Sequence, residues 1–204
     1  MIRKLELQTS KTKKSKQKWI EAGYELFCEE GHEGIQIERL SRITGLNKSG
    51  FYHYFGDFDR YFEALMREHI RMVDQMAVAL PTLGSYDPEF LNLIVANKST
   101  FCFHIQLVRN RRIKLFLETH NLVNSKIDKN ARILFGRELG LTEVAAERYH
   151  DMVRDLFFTR ADFKNLNYEF LHSLFNEVKE IAQLINGNRG QQAEGQPDQF
   201  PEPS

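Results

Sequence analysis

Lys48, Ser49, Tyr52 and His53 are the side chains whose types and spacing promise chemistry, and that chemistry is hydrogen bonding to a polar or anionic surface. Together they offer an ammonium, a hydroxyl, a phenol and an imidazole on the outer face of one short helix. Leu40, Thr44, Leu46, Phe51 and Tyr54 make the opposite, inner face, which clamps this helix to the one before it. A helix fixed in that way can enter a major groove about 12 Å wide and read base edges.

Two helices and a tight turn must hold that face, and Ile37–Phe55 supplies them. Gly45 takes the positive φ that a sharp turn wants, and Ser41, four residues earlier, is small enough for two helix backbones to approach. An ordinary helical hairpin, in which Gly45 only ends a helix, would contain the same glycine. The flanking sequence favours the first reading.

The 204 residues suit one domain, or a module of about 50 residues joined to a larger body, and 42% hydrophobic residues are enough for a sizeable core. The formal net charge is zero, yet residues 1–18 hold seven cations against Glu6, a net of +6, which leaves −6 for the rest. Residues 1–17 read as a mobile basic arm or a frayed helix start, placed where it can neutralise phosphates in a salt-sensitive way. Cys28 and Cys102 lie far apart behind no secretory leader, which fits a reducing cytosol with Cys28 as a packing residue. No apolar run approaches the roughly 18 residues of a membrane span. The expectation is a soluble cytoplasmic protein associated with the bacterial nucleoid, without membrane contact. The chain has no glycine-rich phosphate loop, nucleophile elbow or His-Glu-x-x-His pair, so it reads as neither an enzyme nor a cofactor protein.

From Lys18 to Glu30, Trp19, Ile20, Ala22, Gly23, Leu26 and Phe27 fall on one side of a helix, with Glu21, Glu25 and Glu29 on the other. Gly31 ends it, and His32-Glu33-Gly34 leads to a helix starting near Gln36. A three-helix module closes around Phe27, Leu40, Leu46, Phe51 and Phe55. Ile20-Glu-Ala-Gly-Tyr-Glu-Leu-Phe27, Gly31, Ile37, Leu40, Gly45-Leu46 and the run Phe51-Tyr52-His53-Tyr54-Phe55 together resemble the N-terminal domain of TetR-family transcriptional regulators, over about residues 18–65.

The resemblance implies an all-α homodimer whose two heads dock on successive major grooves of a near-palindromic operator in double-stranded DNA, a transcriptional repressor released by a small-molecule inducer. An architectural or cell-division DNA-binding protein on the same scaffold, with no inducer, is the alternative. The implied DNA-binding set is Gln36, Asn47, Lys48, Ser49, Tyr52, His53 and Tyr54. Gln36, Tyr52 and Tyr54 would meet phosphate, and Lys48, Ser49 and His53 the bases, Lys48 being suited to guanine O6 and N7. Two positions depart from the family pattern. Gly50 stands where a Ser or Thr is usual, and Phe58 where a Lys is common, so two phosphate contacts are in doubt and the basic arm is expected to replace one.

The organisation expected is an arm over 1–17, a helix-turn-helix domain over 18–56, a helical regulatory and dimerisation domain over 57–187, and a disordered tail over 188–204. Asp57 caps a long helix to about Leu80, with Phe58, Tyr61, Phe62, Leu65, His69, Met72, Val73 and Met76 at helical spacing. Shorter helices cover Phe90–Ala96 and Thr100–Val108, before the basic knot Arg109-Asn110-Arg111-Arg112. Residues 113–139 read as helix with a break near Asn124-Ser125. Two last helices, 142–160 and 166–186, are expected to form the dimer. Ala145, Tyr149, Met152, Val153, Leu156 and Phe157 line the first, and the rhythm 171, 174, 178, 181, 185 marks the second. An inducer pocket would draw on Phe101, Phe103, His104, Phe116, His120 and Tyr149. His104, His120 and His150 could converge, but no metal site is expected.

Overall fold

The computed structural model describes the backbone of residues 2–193 and the side chains of residues 12–183. Among the described residues all regular structure is helical: α1 Ile2–Glu30, α2 Ile37–Thr44, α3 Lys48–Phe55, α4 Phe58–Ala77, α5 Leu91–Ala96, α6 Lys98–Arg109, α7 Lys114–Leu139, α8 Glu143–Arg160 and α9 Tyr168–Ala193. Short helical turns at His32–Gly34, Leu80–Thr82 and Tyr86–Phe90 join them. No described helix is long and apolar enough to cross a membrane.

Local chemistry accounts for the boundaries. Gly31, Gly45 and Gly140 all stop helices at positive φ, which costs a glycine little. Asn47, Asp57 and Thr142 open α3, α4 and α8, each accepting a hydrogen bond from a backbone N–H of the first turn.

The first three helices and the start of α4 form a head around Trp19, Phe27, Leu40, Phe51 and Tyr61, all of them sealed from solvent. Trp19 meets the Phe51 ring edge-on at 5.5 Å, and Phe51 lies 4.8 Å from Tyr61. Gly23 has a specific duty here. Tyr61 lies against it and donates its hydroxyl to the Trp19 carbonyl at 2.7 Å, and a Cβ on residue 23 would stand 1.7 Å from that oxygen. The head is not a separate ball, because α1 continues along the body: Phe27 stacks on Phe103 of α6 at 4.2 Å and meets Phe116 of α7 edge-on at 5.4 Å.

Four expectations need correction. Of the two readings of the basic stretch, the helix start fits and the mobile arm does not: residues 2–17 are the first part of α1, and residues 2–22 contain neither Gly nor Pro and are rich in Lys, Gln, Leu and Glu. Helix α7 does not break at Asn124-Ser125. The Ser125 hydroxyl donates back to the Leu122 carbonyl at 2.8 Å, and the buried positions Val123, Asp128 and Ala131 draw the helix through. Helix α9 passes Gly187 and runs to Ala193, with no proline before Pro197; the rest of the expected tail, 194–204, lies outside the described residues. Finally, Leu171, Leu174 and Val178 are buried inside the subunit, so this part of the rhythm fills its own core. Ile181 is 43% exposed, and the side chain of residue 185 lies outside those described.

Candidate nucleic-acid interface and body cavity

The turn between α2 and α3 is held by polar contacts as well as by its glycine. Ser41 donates to the Leu46 carbonyl at 2.5 Å, and Thr44 Oγ1 accepts from the Leu46 N–H at 3.2 Å. Leu40 and Phe51 are fully buried beneath it, while Thr44, Leu46 and Tyr54 are half-buried.

On the outer face Lys48, Ser49, Tyr52 and His53 are exposed, Tyr52 by 53%. Two residues of the DNA-binding set carry structural duties besides. Asn47 Oδ1 accepts the Ser49 N–H at 3.1 Å as the cap of α3, and Lys48 pairs with Glu38 of α2 at 2.6 Å. That hydrogen bond holds the Glu38 carboxyl below its ordinary range. Gln36 is exposed at the N-terminal cap of α2, one turn from the same surface.

Beside α3 lies a groove of about 420 Å³ whose rim holds Lys16, Tyr52, His53, Arg60 and Arg67. This groove bears on one of the two departures, that at Phe58. Phe58 is spent on packing, 5.3 Å from Phe51, whereas Arg60, in the same turn of α4, reaches the groove and has no carboxylate partner among the described residues. Lys16 stands 5.5 Å over the Phe55 ring, so α1 delivers the last cation of the 1–17 stretch to the same edge. Position 58 alone does not reveal Arg60; its place in the first turn after the Asp57 cap could have.

The body encloses a cavity of about 70 Å³ between the Tyr86–Phe90 turn and α5–α9. Of the six expected pocket residues it receives Phe101 and His104. Phe103 and Phe116 pack instead against α1, Tyr149 is half-buried away from the cavity, and His120 touches it only through His104. Residues not anticipated from the sequence form its polar edge: Asn124, Asp128, His150 and Arg154. The His150 and Arg154 pair, one helical turn apart on α8, was the available signal.

That edge is an ion-pair knot. Buried Asp128 accepts from Arg132 at 2.7 Å and from Arg154 at 3.0 and 3.1 Å. His150 lies 3.6 Å from Asp128, and its Nδ1 has no hydrogen-bond partner among the described residues. Burial pushes the His150 imidazole down, against the opposing pull of Asp128, so it is neutral at pH 7. Asp128, His150 and Asp151 have ligand atoms within 4.8 Å of one another, but the two arginines already neutralise Asp128.

A second polar feature crosses the core. The Tyr24 hydroxyl lies 2.9 Å from His69 Nδ1, His69 Nε2 lies 3.4 Å from His104 Nδ1, and His104 Nε2 lies 3.0 Å from His120 Nδ1. The chain thus joins α1 to α4, α6 and α7. His104 and His120 therefore converge, while His150 stands apart on the far side of the cavity edge. Burial drives His69 down to about 3 and His104 well below the ordinary imidazole range, His104 also through its neighbours His69 and His120.

No protein-family model matches the chain. Over 54 residues, 26% of this chain, it is 39% identical to the HTH-type transcriptional repressor AcnR of Corynebacterium efficiens and to that of Corynebacterium glutamicum. Over 143 residues, 68% of this chain, it is 28% identical to the HTH-type transcriptional repressor NicS of Pseudomonas putida. The match spans 29% of the length of each AcnR protein and 65% of NicS.

Proposed function

We propose that this chain, a relative of HTH-type transcriptional repressors with a TetR-like head, is itself a DNA-binding transcriptional repressor. The carrying observation is the outward face of α3, Lys48-Ser49-Tyr52-His53, set beside a groove edged by Lys16, Arg60 and Arg67. Lys48, Ser49 and His53 read bases in the major groove, and Gln36, Tyr52, Tyr54 and Arg60 hold the flanking phosphates. Asn47 contributes by fixing the start of α3. Nothing in the relatives points to an enzyme, and the reading here is of a protein that acts in the cytoplasm by binding DNA.

The repressor works as a homodimer through α8 and α9. Support comes from the stripe Ala145, Tyr149, Met152 and Leu156 on α8, half-buried or exposed, and from Ile181 on α9, which the single chain leaves uncovered. Two copies place two heads on half-sites about 34–36 Å apart, one turn of DNA. A small molecule in the body cavity releases the operator.

Selection of bound fragments from random duplex DNA, followed by footprinting, tests this reading. A near-palindrome with half-sites one turn apart is expected. Binding with no sequence preference would overturn the repressor reading and favour an architectural protein. Met152→Glu should give a monomer by light scattering; a wild type that is already monomeric at micromolar concentration refutes the dimer.

A further inference from the structure

We propose that the body cavity takes an uncharged molecule of one small ring carrying a single hydrogen-bonding group, anchored by His150. The inference rests on the reading of this cavity as an effector site and names what fills it. Its walls are aromatic and aliphatic: Phe90, Phe101, Phe157, Phe158 and Phe175 face it with Ile94. Such walls accept an apolar body and offer nothing to a long polar one.

The polar edge decides the charge. The charged residues that line the cavity, Asp128 and Arg154, are already paired with each other, and Arg132 completes Asp128 from outside. A carboxylate would have to draw Arg154 away from Asp128, and an ammonium would have to draw Asp128 away from its arginines. Each exchange breaks charge-assisted hydrogen bonds to buried Asp128, even though Arg132 keeps Glu147 and Arg154 keeps Asp151, and adds the cost of taking the ion itself out of water. His104 uses both ring nitrogens in the chain to His69 and His120. His150 is different: it lines the cavity, is 5% exposed and neutral, and its Nδ1, 3.6 Å from Asp128 and so beyond hydrogen-bond reach of it, has no hydrogen-bond partner among the described residues. A neutral imidazole nitrogen can accept from a hydroxyl or donate to a carbonyl, according to tautomer, so one uncharged polar group satisfies it.

Size sets the limit of one ring. About 70 Å³ is roughly half the ~150 Å³ of a dry cavity known to hold benzene, so even a single ring must spread the walls. Those walls include α6 and α7, the helices on which Phe27 of α1 rests. An occupant therefore pushes on the two elements that seat the head.

Phenol, benzoate and benzylammonium, titrated into the full-length protein and followed by thermal melting and calorimetry, test the inference without any DNA. At ten times its dissociation constant phenol should raise Tm by about 3–6 °C, and the two ions should leave it unchanged. His150→Phe should weaken phenol binding at least tenfold, and Ala131→Leu, which fills the cavity from α7, should abolish it. A larger shift with benzoate or benzylammonium than with phenol overturns the inference. So does no response to phenol in the wild type, or an unchanged response in both variants. Operator binding is measured separately, so a protein that takes phenol but selects no DNA sequence would sink the repressor reading alone.

Discussion

Acid should unfold this protein through its buried histidines, and His69 gives the cleanest measure. It is fully buried, and burial alone drives its imidazole to about 3. In the unfolded chain the same group titrates near 6.5. The folded value is the lower one, so the contribution to stability is fully present above about pH 6.5. As pH falls the unfolded state takes up the proton first, and the contribution is lost until pH reaches about 3. Each unit within that window costs about 1.4 kcal/mol, so between pH 7 and pH 5 His69 alone removes about 2 kcal/mol. That is a large fraction of the ~5–15 kcal/mol that holds an ordinary domain together. His104 and His150 act in the same direction. Urea melts of the wild type and of His69→Gln at pH 7, 6 and 5 provide the assay. The variant is expected to be less stable at pH 7, because Tyr24 and His104 lose their partner, but its further loss on going to pH 5 should be smaller by about 2 kcal/mol. An equal pH dependence in the two proteins would refute the assignment of His69 as a buried neutral base.

Other substitutions probe the head and the knot at the cavity edge. Arg60→Ala should weaken operator binding and lower the slope of log affinity against log salt by about 1, as expected for one lost phosphate contact. A slope unchanged in filter binding removes Arg60 from the interface. Gly50→Ser should strengthen binding, because a Cβ there meets only Tyr54 at 3.8 Å and the hydroxyl restores the missing family contact; equal or weaker affinity in the same assay counts against it. Gly23→Ala should cost more than the Gly-to-Ala gain in helix propensity of about 1 kcal/mol returns, since Tyr61 must leave the Trp19 carbonyl, and a higher Tm would contradict that packing. Asp128→Asn should destabilise by about 1–3 kcal/mol, because the hydrogen bonds from Arg132 and Arg154 lose their charged acceptor while Arg132 keeps Glu147 and Arg154 keeps Asp151; chemical denaturation can read the loss.

The head was readable because its signals are local. Gly45, Ser41 and the aromatic run Phe51–Phe55 act within one or two helical turns of each other, and the structure closes the same residues around Trp19 and Phe27. Elsewhere the deciding contacts span long separations that helical periodicity does not record. His69 meets Tyr24 across 45 residues and His104 across 35, while Asp128 meets Arg154 across 26. The sequence offered His104 and His120 as pocket candidates, but not that both nitrogens of His104 would be consumed in a chain. Phe103 and Phe116 show the same limit: an aromatic residue at helical spacing fits a cavity wall and a helix seam equally well, and only α1 lying against them decides. On α8 the periodicity found two stripes at once. Val153 and Phe157 turn inward, whereas Tyr149 and Leu156 are half-buried against the core's edge and Met152 is exposed.

Under the release proposed above, the continuous first helix determines how the head must move. Had residues 1–17 been a loose arm, the head could rotate on a tether and the arm could hold phosphate regardless. With α1 unbroken from Ile2 to Glu30, the basic end and the body-facing end are one rod. Any displacement of Phe27 or Tyr24 at the body is carried along that rod to Lys16 and the groove beside α3. Tyr24 is tied to His69 of α4, and His69 to His104, which also lines the cavity. Each neutral imidazole in that chain has one N–H, so it donates on one side and accepts on the other, and the links must all point the same way. A shift of His104 therefore disturbs the whole series rather than one bond. The cavity and the reading face are joined by two routes, one of packing through Phe103 and one of hydrogen bonds through His69, and both end on the same helix.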